Sequence, residues 1–212
     1  MDRPHFRLWT YRSPAIVLGC SQHRLRPLAE ARLPAGVALL ERATGGGAVL
    51  TGPWLVGVSV LLPPEHAWVC GGLLESYRRL ALLHVAVLAG LGVAAQAVPP
   101  AEVQAAAART GAPVEWACFG GLGPWELTDE QGRKLTGLAQ RRQHSGVLLV
   151  AGSLVSAPPW AMLCRVLGRD EDVAALARRT VSCDALAGRP VAPLTLAAAL
   201  QRALQRELPG SA

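Results

Sequence analysis

An α+β domain is what this sequence predicts, on three observations. Strand-like runs fill the first third of the chain and the stretch 125–155, and helical patterns are appended after them. Between the two strand regions lies one long helical pattern, about Leu73 to Leu88, whose apolar side is wide enough to cover a sheet. The 212 residues contain no linker, repeat or low-complexity block, so they read as a single domain over 1–212.

The elements follow in order. Residues 6–12 and Ala15 to Gly19 read as two strands around a Ser13-Pro14 turn, and a short helix follows Pro27. Gly36 to Glu41 and Leu55 to Leu62 read as strands that hold one glycine-rich loop between them. The long helix is expected to pack through Leu74, Tyr77, Ala81, Val85 and Leu88, with His84 at the edge of the core. The apolar run Leu80 to Val98 contains His84, Gly90, Gly92 and Gln96, and it reads as a buried helix, a glycine stop and a short strand rather than a membrane span. Residues 101–109 read as helical. Trp125 to Thr128, Lys134 to Arg142 and Val147 to Val155 form a meander with turns at 129–132 and 143–146. Helical patterns then cover Trp160 to Leu167, Asp170 to Arg179 and Thr195 to Leu208, with Thr195 as N-cap.

Composition narrows the function. The formal net charge is +6, and all but one of the 21 Lys and Arg residues are arginine. Guanidinium-rich surfaces suit carboxylates, phosphates or an acidic protein partner. Nucleic acid is disfavoured, because the Arg-Arg pairs at 78–79, 141–142 and 178–179 are dispersed. Five cysteines at 20, 70, 118, 164 and 183 have no metal-ligand spacing, which points to a reduced, cytoplasmic protein without a metal site. The N-terminus lacks the apolar core of an export signal.

Two constellations carry chemistry. In Glu41 to Ser59 (ERATGGGAVLTGPWLVGVS), Gly45, Gly46 and Gly47 follow Arg42 and Thr44. Such a turn lets backbone N–H groups approach an anion or carbonyl closely, and a plain loop needing positive φ fits the same residues. A P-loop is excluded: no Gly-Lys-Ser/Thr follows, and the next element is a strand. The second constellation is Lys134, the chain's sole lysine, sixteen residues after Cys118 in a glycine-rich segment. A compact ammonium can follow a carboxylate or carbonyl through a reaction. A thiol beside such a cation is a candidate nucleophile, whereas an inert thiol is the plainer alternative.

With these motifs in order, LWTYRSPAIVLGCSQ, ERATGGGAVL, CFGG with WEL, and GRKLTGLAQRRQHSGVLLVAGSL, the chain resembles the lipoate–protein ligase and octanoyltransferase family, related to biotin–protein ligases. The resemblance covers about Trp9 to Val155, with SCDALAGRPV also recognisable. It implies an α+β catalytic domain with a large mixed sheet, a smaller sheet and flanking helices around a forked pocket. Arg42, Thr44, Gly45, Gly46, Gly47, Ala48 and Val49 match the motif along the acyl group and nucleotide. Lys134 matches the lysine at the acyl carbonyl, Gly137, Ala139 and Gln140 share its strand motif, and Gly152 and Ser153 match the pocket-lining strand. Two family histidines are replaced, by Thr51-Gly52 and by Ala151.

The triple glycine resembles ligases, which implies ATP and Mg²⁺ as co-substrates. Activation of octanoate or lipoate to the acyl-adenylate would precede transfer to the lysine of an apo lipoyl carrier, an acidic lipoyl domain or an H-protein-like domain. That ATP-dependent reaction is the expectation, with no separate C-terminal accessory domain after the last helix. The alternative is a cofactor-free octanoyltransferase that carries the acyl group from an acyl carrier as a Cys118 thioester. Cys118-Phe119 is shared with cysteine-dependent octanoyltransferases, although one class of these has arginine at the third glycine. Outside the family stand a non-catalytic module for an acidic protein and an acyl-binding protein without turnover. The first predicts tolerance of Lys134→Ala, and the second predicts binding of octanoate without consumption of ATP.

Overall fold

The computed structural model describes residues 3–209. Its strands are β1 (His5–Thr10), β2 (Ala15–Leu18), β3 (Ala38–Glu41), β4 (Val49–Thr51), β5 (Leu55–Leu62), β6 (Gln96–Ala97), β7 (Leu127–Thr128), β8 (Lys134–Gln143) and β9 (Gly146–Leu154). Its helices are α1 (Arg26–Arg32), α2 (Ala67–Cys70), α3 (Gly72–Gly90), α4 (Val103–Ala108), α5 (Trp160–Val166), α6 (Val173–Arg179), α7 (Cys183–Ala187) and α8 (Pro193–Glu207). They build one six-stranded sheet, ordered β1-β5-β9-β8-β7-β6, and one three-stranded sheet, ordered β3-β2-β4. Every pair in the large sheet is antiparallel, and the parallel pair that makes the architecture mixed is β2–β3 of the small sheet.

Period-two alternation sorts the large sheet's side chains. On β5, Val56, Val58, Val60 and Leu62 enter a core shared with α3 and α8, while Leu55, Gly57 and Ser59 take the opposite face. α8 contributes Leu196, Leu200, Ala203 and Leu204 at helical spacing. A second core gathers β2, β4, α1, α5 and α6 around Ile16, Leu50, Leu163 and Leu176. Each fully buried leucine contributes about 1.5–3 kcal/mol, so both cores are held chiefly by apolar burial. The remaining face of the large sheet, with Leu55, Gly57 and Ser59, and the small sheet, with Val17 and Val49, line one cavity, and the site lies there.

Several details depart from expectation. α3 buries Ser76, Leu80, Ala81, Leu83, His84 and Leu88, so its inner stripe is rotated from the predicted one and Leu74 is exposed. His84 is fully buried rather than at the core's edge. α8 begins at Pro193, whose fixed φ suits a first helical position, so Thr195 lies inside the helix and is not its cap. α3 ends at Gly90 and β6 follows, as the glycine stop implies. No helix among the described residues is long and apolar enough to cross a membrane.

Candidate active site

β3 delivers the chain into the glycine loop, where Gly46 takes φ +98°. Arg42 folds back over this loop. Its Nη2 donates to the carbonyls of Gly45 (3.0 Å) and Gly47 (2.9 Å), while its Nε–H is buried without a partner. The loop is then joined to the cysteine turn by a parallel bridge. Ala48 N–H donates to the Trp116 carbonyl and Cys118 N–H to the Ala48 carbonyl, both at 2.8 Å. A Cβ on Gly47 would stand 2.6 Å from the Ala117 carbonyl carbon, and one on Gly19 would stand 2.0 Å from the Gly46 oxygen. Gly47 therefore serves the close approach of two backbones, a reason for glycine that is independent of a bound nucleotide.

On the other side of that turn stands Lys134, only 3% exposed. Its Nζ donates to the carbonyls of Cys118 (2.8 Å) and Gly121 (3.1 Å) and pairs with Glu126 Oε2 at 2.7 Å. It also lies 5.4 Å from the centre of the Phe119 ring. Gly137 makes room for it, since a Cβ there would stand 3.2 Å from Lys134 Cε. Cys118 is thus anchored from both sides, through its N–H by the glycine loop and through its carbonyl by the ammonium.

Two cavities meet at this residue. One, about 640 Å³ and called polar for the charged Arg42, Glu126, Lys134 and Arg179 in its wall, is also lined by Gly45, Gly46 and Gly47. The apolar one, about 390 Å³, runs under Trp9, Tyr11, Val17 and Phe119. Both volumes suit small-ligand sites, typically about 300–1,000 Å³. Arg42, Cys118, Leu138 and Ala139 line both. The floor of the apolar branch is a trough: Trp9 pairs with Gly57, Gly57 with Gly152 and Gly152 with Gly137 across four neighbouring strands. The Trp9 indole covers Gly57 and Lys134 fills the room beside Gly137, so the open floor of the trough is at Gly152, where an unbranched chain can lie beside the indole.

The candidate residues named from the sequence divide accordingly. Arg42, Gly45, Gly46, Gly47, Cys118 and Lys134 line the polar cavity, and Thr44, Val49, Gly137, Ala139 and Gly152 line the apolar one. Ala48 is buried in the bridge to the cysteine turn. Gln140 and Ser153 line neither. The pleat turns Gln140 to the opposite face from Ala139, where its Nε2 donates to the Leu73 carbonyl at 3.2 Å, and Ser153 shares a 2.8 Å hydrogen bond with Thr136. Thr51, at one of the replaced histidines, donates to the Ala15 carbonyl and ties β4 to β2. Sequence reasoning missed Trp9, Gly57 and Glu126. The acid was discoverable in principle, because a buried lysine requires a counter-charge and Glu126 lies eight residues before it.

Chemistry also separates the thiols. Burial, followed by nearby acids, pushes the Cys164 thiol up to about 11 and the Cys183 thiol up to about 12, so both stay protonated and unreactive near neutrality. Cys20 and Cys70 are exposed and line neither cavity. Cys118 is half-buried and opens on both.

Known proteins resemble this chain in sequence and fold. The chain is 37% identical over 156 residues to octanoyltransferase LipM of Moorella thermoacetica, covering 72% of this chain and 53% of that one. It is 34% identical over 195 residues to octanoyltransferase LipM of Kyrpidia tusciae, covering 89% of this chain and 69% of the relative. The chain therefore spans about half the length of the first and about two thirds of the second. Among solved structures, a bi-partite lipoate protein ligase of Thermoplasma acidophilum superposes with a TM-score of 0.68 at 20% identity, over 98% of this chain and 72% of that one. That likeness concerns the fold alone. Both sequence relatives are octanoyltransferases, which overturns the ATP-dependent, acyl-adenylate-forming ligase expected from the triple glycine. Residues 1–205 match the model of the lipoyl protein ligase A/B catalytic domain, and the chain belongs to that family.

Proposed function

We propose that this chain is a cysteine-dependent octanoyltransferase that works without ATP. The observation that carries the reading is the position of Cys118, a half-buried thiol at the junction of an apolar trough and an open polar cavity. The octanoyl chain lies in the apolar cavity over Gly152, beside the Trp9 indole that covers Gly57, and its thioester carbonyl reaches Cys118. The Cys118 thiolate attacks that carbonyl, the carbon–sulfur bond to the acyl carrier breaks, and the carrier thiolate leaves through the polar branch and takes up a proton. The ε-amine of an acceptor lysine on a lipoyl domain then attacks the Cys118 thioester. An amide forms, the Cys118 thiolate is released, and the amine loses its extra proton to solvent.

Each residue has a role that its chemistry suits. The Lys134 ammonium, whose three protons go to the Cys118 and Gly121 carbonyls and to Glu126, acts on the charge that develops on the carbonyl oxygen through space, and the buried, unpartnered Arg42 Nε–H is the free donor. A thioester is already activated, so no adenylate is required. Octanoyl is the acyl group by analogy with the two transferases, and lipoate stays outside the reaction. The positive net charge suits an acidic lipoyl domain as acceptor, and free cysteines suit the reducing cytoplasm.

The test is intact-protein mass spectrometry after incubation with an octanoyl-loaded acyl carrier, with and without ATP, followed by addition of an apo lipoyl domain. We expect octanoyl on Cys118, its passage to the acceptor, and no dependence on ATP. Cys118→Ser abolishes both steps. Acceptor modification that requires ATP, or that survives Cys118→Ser, refutes the reading.

A further inference from the structure

The ion pair behind the cysteine turn has an unusual origin. Trp125 is the one non-glycine residue with positive φ among the described residues, at +64°. A bulky residue there is strained, and such strain clusters at functional sites. The register explains what it does. Leu127 pairs with Thr136, so a continued β7 would set Trp125 opposite Leu138. The left-handed turn ends the ladder instead, and the Glu126 carboxylate replaces the lost strand: its Oε1 accepts from Leu138 N–H at 3.0 Å. Its Oε2 accepts from Gly123 N–H at 2.7 Å and from the Lys134 ammonium at the same distance. One buried carboxylate thus ties the edge of β8, the glycine wall of the polar cavity and the sole lysine together.

We propose that Glu126 is a positioning residue of the transfer reaction. It acts through Lys134, holding the ammonium where it meets both the Cys118 carbonyl and the polar cavity, and the strained Trp125 turn exists to aim it. The three acceptors around Lys134 Nζ match its three protons. Two are backbone carbonyls of the loop that Glu126 itself braces through Gly123, so loss of the carboxylate loosens every contact at once. A purely structural ion pair would stabilise the fold and leave the chemistry alone. A positioning residue instead lowers the rate of acylation with little change in donor affinity.

The inference rests on the transferase reading for its kinetic arm only. Because Lys134 is the sole lysine, labelling with ¹⁵Nζ-lysine yields one side-chain ammonium signal in the full chain. In the wild type we expect a sharp, exchange-protected signal, and in Glu126→Gln a shifted or broadened one. Single-turnover octanoylation of Cys118 should fall about 10- to 100-fold in Glu126→Gln, the equivalent of one charge-assisted hydrogen bond. The donor KM should stay within about threefold. The fall should vanish when Lys134→Met is compared with the Glu126→Gln, Lys134→Met double variant.

A sharp, unshifted lysine signal in Glu126→Gln overturns the proposal. So does a rate loss that recurs in full on the Lys134→Met background, because Glu126 would then act independently of the lysine. If the wild type takes no octanoyl from any thioester donor, the transferase reading fails and the kinetic role with it, and the lysine signal decides only whether Glu126 holds Lys134 in place.

Discussion

Replacing Trp9 by alanine should redirect this protein toward longer acyl chains. Trp9 sits on β1 opposite Gly57, and a Cβ on that glycine would lie 2.3–2.6 Å from the indole atoms, so the ring lies directly over the trough. Its Nε1 donates to the Tyr11 hydroxyl at 2.5 Å, which fixes the ring's angle. Alanine removes the indole and extends the apolar branch beyond its present 390 Å³. A dodecanoyl chain has four methylenes more than octanoyl, each worth about 0.8 kcal/mol on burial, so the ceiling of the gain is about 3 kcal/mol. At about 1.4 kcal/mol per tenfold, this allows roughly a 200-fold rise in the dodecanoyl-to-octanoyl ratio of kcat/KM. The new space opens partly to solvent, and a rise of at least about tenfold is the expected outcome. The assay is competition between acyl carriers loaded with C8 and C12 chains, read as acyl masses on Cys118. A ratio that moves less than about threefold in a folded variant refutes the trough as the path of the chain.

Two further outcomes test the same structure from other sides. Gly152→Val should leave stability within about 0.5 kcal/mol by urea denaturation, since its Cβ would make ordinary contact with Leu55 at 3.6 Å, yet it should cut octanoylation of Cys118 sharply by filling the trough. His84 is buried, and burial lowers its pKa from 6.5 to about 4. The unfolded chain therefore binds a proton that the folded one refuses between those values. Stability is fully present above pH 6.5 and falls as the pH drops toward 4, by about 3 kcal/mol, and His84→Leu should flatten that acid limb in urea titrations at stepped pH.

How far the sequence could be read depended on what each residue's neighbours had to be. Leu55–Leu62 was legible to the residue, because an apolar run closed by Pro63 and Pro64 leaves little choice of ends. Lys134 and Cys118 stood out through rarity and through glycine context. Face assignment failed where it depends on parity. Gln140 and Ser153 belong to motifs whose neighbours line the cavity, yet one step along a strand sends a side chain to the other face. α3 was misread for a related reason. Counting leucines from Leu74 placed the stripe on the apolar residues, whereas the helix buries Ser76 and His84 because their polar atoms bond to the carbonyls of Trp68, Gly72 and Leu80. Glu126 was one acid among fifteen until the register showed that β7 stops short beside it.

The glycine loop carried the largest misreading, and its geometry explains why spelling alone misleads. A glycine makes room, but the sequence does not say for what. In this chain the room at Gly47 is taken by the backbone of Trp116 to Cys118, and the room at Gly137 by the lysine. Both glycines therefore act on Cys118: the first lets Ala48 hold its N–H, and the second lets Lys134 hold its carbonyl. A thiol that must attack a carbonyl within a narrow range of distance and angle gains from a backbone fixed at both ends. The two constellations, separated by about ninety residues, meet at one peptide unit on each side of a single cysteine.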